Sequence, residues 1–128
     1  MNRVIHFEIH SEDPTRARKF YEDLFGWKFE GWGDESYFMI TTGPEGTPGI
    51  NGGLMKRLSP PPIDGQPMNG FVNVIEVGNV DEYSVKIPEA GGSLALPKIA
   101  IPGIGYSAYF KDTEGNIFGI YQDDKTAK

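Results

Sequence analysis

The sequence predicts an α+β fold made of two pseudo-repeated βαβββ modules. Two stretches that start about 65 residues apart follow one plan, in which a strand leads through a capped helix to a glycine stop. The first stretch covers residues 6–26 and the second covers residues 71–92. A long period that is used only twice is typical of a duplicated domain and not of a solenoid. We therefore expect a single domain over residues 1–128.

The first module, placed at residues 1–58, begins with a strand and a helix. Residues 4–10 alternate between apolar and polar side chains, which is the period-two pattern of a strand. Asp13 and Pro14 suit the N-cap and the first position of a helix, and Gly26 suits its end. The apolar stripe of this helix comprises Ala17, Phe20, Tyr21, Leu24 and Phe25. Further strands are predicted at residues 27–29, 37–41 and around 53–56.

A proline-rich linker at residues 59–69 separates the modules, because each proline removes an amide donor and restricts the residue before it. Module two is placed at residues 70–122, followed by a C-terminal tail at 123–128. Its predicted elements are a strand at 71–77, a helix at 80–89, and strands at 93–96, 105–111 and 116–122.

Composition restricts the function classes. The chain has no cysteine, which excludes thiolate catalysis and zinc–thiolate sites and is compatible with a reducing cytoplasm. Its formal net charge is -6, and the basic residues are diluted by 18 acidic ones, which argues against nucleic acid as a partner. No apolar run approaches the length of a membrane span or a signal sequence. We expect a soluble, unexported, cytoplasmic protein.

Three ionisable residues share one face of the first predicted strand. His6, Glu8 and His10 alternate with apolar residues, and His6 and His10 are the only histidines of the chain. Imidazole and carboxylate groups suit proton transfer, so these residues are the candidate catalytic set; the alternative is that they are polar groups satisfied by their neighbours. They could also hold a divalent metal, but side chains two apart on one strand stand about 7 Å apart, so we expect no metal site and no cofactor.

Other residues are predicted to contact a small organic ligand. The face of module two that carries Ile75 is less polar than that of module one, which gives a cavity with unlike walls. Alternation places Tyr121 on the same face as Gly119. Tyr106 and Tyr109 lie on opposite faces of their strand, so at most one of them shares the face of Tyr121. The predicted ligand-binding residues are Phe71, Asn73, Tyr106, Tyr109, Tyr121 and Met55.

Two loops resemble known ligand loops only superficially. Residues 43–53 are rich in glycine but lack the Lys and Ser/Thr ending of a phosphate loop, and we expect a mobile loop or lid instead. Residues 112–116 are too short for a calcium loop and are predicted to form a tight turn.

Several motifs resemble those of the vicinal oxygen chelate superfamily, which includes glyoxalase I, extradiol dioxygenases and bleomycin-resistance proteins. They are the opening H-x-x-[apolar]…D-P…F-Y…L-F-G-W, the closing F-K-D-T-E-G-N-I-F-G-I-Y, and the segments G-G-L-M-K-R and I-P-G-I-G-Y. The resemblance covers essentially the whole chain. It implies a cupped, partly open mixed sheet and a homodimer.

The resemblance also implies four metal-ligand positions in the metal-dependent members. They fall on His6, on Gly53 or Leu54, on Phe71 or Val72, and on Gly119. Only His6 can bind a metal, so we expect metal-independent binding or sequestration of a small molecule. The alternatives are a lyase or isomerase-type enzyme that uses His6 or Glu8 for proton transfer, and a metal-dependent glyoxalase-like enzyme with displaced ligands.

Overall fold

The computed structural model describes residues 3–32, 36–66 and 71–128, and the side chain of Trp32 lies outside this description. Their elements follow the order βαβββ twice. These are β1 (Phe7–Ser11), α1 (Pro14–Phe25), β2 (Lys28–Trp32), β3 (Tyr37–Thr41), β4 (Gly52–Lys56), β5 (Val74–Glu76), α2 (Val80–Glu89), β6 (Ser93–Ile101), β7 (Gly105–Lys111) and β8 (Ile117–Asp123). The predicted α+β class and the duplicated βαβββ plan are confirmed.

The chain divides into two compact units, one ending at Pro61 and the other starting at Pro62. Each unit holds one four-stranded sheet, with the order β1-β4-β3-β2 in the first and β5-β8-β7-β6 in the second. In both units the first strand pairs in parallel with the fourth, and the remaining pairs are antiparallel. The two sheets therefore repeat one topology. Among the described residues, no helix is long and apolar enough to cross a membrane.

The helix boundaries follow from their caps. The Asp13 carboxylate accepts a hydrogen bond from the Arg16 amide at 3.1 Å, and Gly26 adopts a φ of 70° as its own amide donates to the Glu22 carbonyl. In α2, Asn79 accepts from the Glu82 amide at 2.9 Å. Both helices extend over the predicted residues.

Each helix buries one face of the sheet of its own unit. In the first unit, Phe20, Tyr21 and Leu24 of α1 are buried, as are Phe38, Ile40 and Leu54 on the strands. In the second unit, the buried residues are Val80 and Ile87 of α2 with Ala108, Phe110, Phe118 and Ile120. The side chains on the opposite face of each sheet alternate with these core residues and are more exposed.

Some strand boundaries differ from the prediction. β5 contains three residues and not seven, although the Asn73 carbonyl and the Val77 amide still bond to β8. β6 continues to Ile101, past Pro97, because two register shifts near the proline keep it paired with β7. β1 starts at Phe7.

Candidate functional site

Of the predicted set, Glu8 and His10 lie on one face of β1 at the edge of the first sheet, and His6 lies just before that strand. Strand register pairs Glu8 with Gly53 and His10 with Met55, so these side chains face away from α1. Glu8 and His10 are each 43% exposed. The Nε2 atom of His10 lies 3.4 Å from Oε1 of Glu8. The structure therefore groups the predicted residues, and it places the predicted ligand residue Met55 beside them.

Tyr37 of β3 joins this cluster. Its phenolic oxygen lies 2.9 Å from Nε2 of His6, and its hydroxyl donates to Oε2 of Glu8 at 3.3 Å. A continuous chain of contacts thus runs His6–Tyr37–Glu8–His10. We define these four residues as the β1 cluster.

Gly53 makes the contact between Tyr37 and β1 possible. β4 lies between β3 and β1, so the Tyr37 side chain must cross β4 to reach Glu8. A Cβ atom on residue 53 would overlap the Tyr37 phenolic oxygen. Glycine in a strand often marks such a close approach. Because Gly53 has no side chain, the Tyr37 phenol can reach His6 and Glu8.

The environment of Tyr37 favours its neutral form. Partial burial raises the pKa of the Tyr37 phenol above its ordinary value, and the charge of Glu8 and the hydrogen bond to it act in the same direction. The phenol therefore remains a hydrogen-bond donor at neutral pH. Met39, which is 44% exposed, lies on the same face of the sheet, where it pairs with Gly53.

Apart from His6, the residues at the metal-ligand positions implied by the resemblance have no group that could bind a metal. The Tyr37 phenol fills the space above Gly53, and at Gly119 a Cβ atom would lie 2.9 Å from Cε1 of Tyr109. Phe71 is fully exposed outside any strand. Within the described ranges, no group of three or more His, Cys, Asp or Glu side chains is arranged to hold a metal ion.

The predicted ligand-binding tyrosines lie on both faces of the second sheet. Tyr109 pairs with Gly119, and Tyr121 shares this face. The Tyr121 hydroxyl lies 3.2 Å from the Ile104 carbonyl and 3.1 Å from Oδ1 of Asp123. Tyr106 lies on the α2 side, where the Lys98 ammonium sits 4.3 Å from the centre of its ring. Only Tyr109 and Tyr121 are thus together on the face away from α2.

The predicted face of β5 is wrong by one residue. Val74 pairs with Gly119 and its side chain approaches that glycine, so Val74 and Glu76 point away from α2. Ile75 pairs with the fully buried Ile120 and therefore lies on the α2 side. Asn73 is two residues before Ile75, so alternation places it on the α2 side as well. The predicted repeat starts about 65 residues apart, whereas the equivalent pairs Glu8–Gly53 and Val74–Gly119 lie 66 residues apart, and a shift of one residue moves a side chain to the other face of a strand.

Sequence reasoning missed Tyr37 and Met39 as members of this face. The signal that could have found them is the Gly52-Gly53 pair at the start of a predicted strand, because such glycines mark close approach by another group. Locating that group also requires the register between β3 and β4, which pairs Tyr37 with Met55.

Hydrogen bonds join the two ends of the glycine-rich loop at residues 43–53. The Thr42 amide donates to the Asn51 side chain at 2.9 Å, and the Thr42 hydroxyl donates to the Ile50 carbonyl at 2.8 Å. The loop borders an open polar cleft of about 510 Å³. A lid function stays a prediction.

In the turn at 112–116, the Asp112 carboxylate accepts hydrogen bonds from the amides of Glu114 and Asn116, which closes the predicted tight turn.

The comparisons with known proteins agree with the fold. A model of the bleomycin resistance protein-like N-terminal family matches residues 3–43. A glyoxylase-like domain-containing protein from Didymella fabae is 30% identical over 118 residues, which covers 88% of each chain. CFP32 from Mycobacterium bovis, which carries a provisional glyoxylase name, is 27% identical over 124 residues. That alignment covers 92% of this chain and 44% of CFP32, so the chain spans less than half of this relative.

A solved structure extends the agreement to the whole fold. A glyoxalase/bleomycin resistance protein/dioxygenase family enzyme from Burkholderia phytofirmans PsJN superposes with a TM-score of 0.73 at 17% identity. The match covers 93% of this chain and 97% of that one. The fold is therefore the glyoxalase/bleomycin resistance fold. The chain belongs to the vicinal oxygen chelate superfamily, among its glyoxalase-like domains.

Proposed function

We propose that this chain binds or sequesters a small organic ligand on the first sheet, at the face of the β1 cluster, without an obligatory metal. The observation that carries this proposal is that the four polar side chains of the cluster lie beside Met39 and Met55 on one face of the sheet. Polar groups in fixed positions beside adaptable apolar groups are typical of small-molecule sites.

Charge supports a ligand with a cationic group. The chain carries a net charge of -6, and the face of the cluster carries Glu8 and Glu30 together with Lys28. The match to a bleomycin resistance protein-like model supports the same class of ligand. We therefore propose an amphipathic, partly aromatic cation as the preferred ligand.

Ligand screening tests this proposal directly. Chelator-treated protein is screened by ligand-observed NMR against bleomycin and a set of aromatic amines and aromatic acids. We expect at least one amine to bind, and we expect Glu8→Gln to weaken its binding about tenfold by removing a charged partner. Glu89→Gln, which removes an exposed carboxylate on α2, is the matched control. Equal loss in both variants, or binding of none of the compounds, would reject the proposal.

Metal independence needs its own measurement. Elemental analysis of protein purified without chelators is combined with thermal melts in the presence of nickel or zinc. We expect less than stoichiometric metal and no rise in melting temperature, because a ligand that binds only the folded state raises it. A stoichiometric metal would favour the metal-dependent glyoxalase-like alternative.

The contact between His6, Tyr37 and Glu8 favours a second candidate function. A base in an active site is commonly oriented by a hydrogen-bonded neighbour, and here Tyr37 contacts His6 and Glu8, so a lyase or isomerase-type proton transfer is the second candidate. Its test is deuterium exchange from solvent into carbonyl compounds, with His6→Ala as the variant that abolishes exchange.

Assembly and location complete the proposal. The resemblance to the superfamily supports a homodimer, and the absence of cysteine is compatible with a cytoplasmic location. Light scattering on the purified chain measures its oligomeric state, and fractionation of cells that express it measures its location.

A further inference from the structure

The hydrogen atoms of the β1 cluster can be assigned by counting donors. A neutral phenol has one hydrogen, and Tyr37 donates it to Oε2 of Glu8. The 2.9 Å contact between the Tyr37 oxygen and Nε2 of His6 therefore requires a hydrogen on His6 Nε2. In the same way, an ionised Glu8 only accepts, so His10 donates from its Nε2 to Oε1. In this assignment His6 donates to Tyr37, and Tyr37 and His10 each donate to Glu8.

This assignment determines which atom of His6 is basic. A neutral imidazole that carries its hydrogen on Nε2 has its lone pair on Nδ1. A hydrogen bond to one ring nitrogen commonly selects the tautomer and so prepares the other nitrogen for its role. Here the selecting group is the Tyr37 phenol, which is a donor to Glu8 and an acceptor for His6.

We propose that Tyr37 is a positioning residue of the candidate site: held over Gly53, its phenol fixes His6 as the Nε2–H tautomer and leaves Nδ1 as the hydrogen-bond acceptor offered to a ligand. The inference rests on the proposed function in that it assumes a ligand at this face. The ligand group that fits opposite Nδ1 carries an O–H or N–H donor, such as a hydroxyl, an amide or a protonated amine.

The neighbours of Tyr37 agree with this role. The raised pKa of Tyr37 keeps the phenol protonated, and hence able to donate to Glu8, near neutral pH. β4 contributes Gly53 and Met55 to this face, neither of which has an ionisable side chain. β2 contributes Lys28 and Glu30, which pair with Thr41 and Met39 and not with Tyr37. The closest ionisable partners of Tyr37 are therefore His6 and Glu8.

Long-range ¹⁵N NMR of the ligand-free protein tests the inference, because it identifies which ring nitrogen of each histidine carries the hydrogen. At a pH of about 8, we expect His6 to be entirely the Nε2–H tautomer. Tyr37→Phe removes the acceptor while it keeps the ring, so the Nδ1–H form of His6 should become detectable. Tyr83→Phe on α2 removes an equivalent hydroxyl far along the chain and should leave the spectrum of His6 unchanged.

A second variant separates the position of the phenol from its chemistry. Gly53→Ala retains the hydroxyl but places a methyl group where the phenolic oxygen lies, and the flexible end of Tyr37 can move away. We expect the same change in the His6 tautomer as in Tyr37→Phe, and no further change in the double variant. Circular dichroism confirms that each variant folds.

Retention of a pure Nε2–H tautomer at His6 in both folded variants would overturn the inference, and so would a pure Nδ1–H tautomer in the unmodified chain. Failure of the ligand screen is a separate result, because the NMR measurement uses no ligand. The two proposals can thus fail independently.

Discussion

The phenolic oxygen of Tyr37 occupies the position at which a side chain on Gly53 would begin. The second unit contains a related pair, because the Tyr109 ring lies over Gly119. In both cases a tyrosine on the third strand of the module covers a glycine on the fourth. A strand glycine leaves an aromatic ring room to lie against the sheet. The two modules therefore share a packing arrangement as well as a topology.

The cost of adding a methyl group should depend on what the new atom meets. At Gly105 it would overlap the Gln122 carbonyl of the paired strand, whereas at Gly53 it meets the end of a movable side chain. We expect Gly105→Ala to lower the free energy of unfolding by about 3 kcal/mol and Gly53→Ala to lower it by about 1 kcal/mol. Urea denaturation measures both values, and equal losses would contradict this explanation.

Ser11 offers a substitution that should stabilise the protein. Its hydroxyl is fully buried and has no hydrogen-bond partner among the described residues. A buried polar group without a partner is costly, so Ser11→Ala should raise the free energy of unfolding by about 1 kcal/mol. Ser107 is the matched control, because its buried hydroxyl donates to the Ile120 carbonyl at 3.2 Å. Ser107→Ala should lower the free energy of unfolding by about 1 kcal/mol. The prediction fails if thermal melts show Ser107→Ala to be more stable than Ser11→Ala.

The N-cap of α1 should contribute measurably to stability. Asp13→Ala removes the acceptor for the Arg16 amide and should lower the free energy of unfolding by about 1 kcal/mol. Asp13→Asn keeps a side-chain oxygen in the same place and should cost less than about 0.5 kcal/mol. Chemical denaturation of both variants tests this prediction, which fails if asparagine and alanine are equally destabilising.

Stability should fall at high pH partly through Tyr37. Its folded pKa lies above the unfolded value of about 10, so the folded state holds the proton more tightly. The resulting stabilisation is complete below pH 10 and is lost as the pH rises through the folded pKa. The difference in unfolding free energy between the unmodified chain and Tyr37→Phe should therefore shrink above pH 10. Urea titrations at pH 8 and pH 11 check this, with Tyr83→Phe as the control.

Local signals were sufficient to predict the helices but not all strand ends. Asp13, Pro14 and Gly26 identify the ends of α1 because capping depends on neighbouring residues alone. The extent of β5 depends on which residues of β8 it meets, and only Val74–Glu76 form the strand. Likewise, β6 continues past Pro97 because its partner β7 accommodates the irregularity. Strand ends are set by partners that a local pattern does not contain.

The same distinction explains the candidate site. The grouping of Glu8 with His10 follows from a period of two along one strand, and the sequence predicted it. Tyr37 reaches the cluster across β4, so its membership depends on the register of three strands. A contact across strands is therefore visible only after the sheet is assembled.

The pairing of β1 with β4 has a kinetic consequence. It joins Phe7 to Gly52, about 45 residues apart, whereas β2 and β3 are neighbours along the chain. Closing a long loop costs more entropy than closing a short one, so β1 is expected to add to its sheet after the hairpin has formed. β1 is also one of the two edge strands of its sheet, with a hydrogen-bonded neighbour on one side only. Glu8 and His10 thus belong to a strand that is expected to join its sheet late, so we expect the amide hydrogens of β1 to exchange faster than those of the central strand β3.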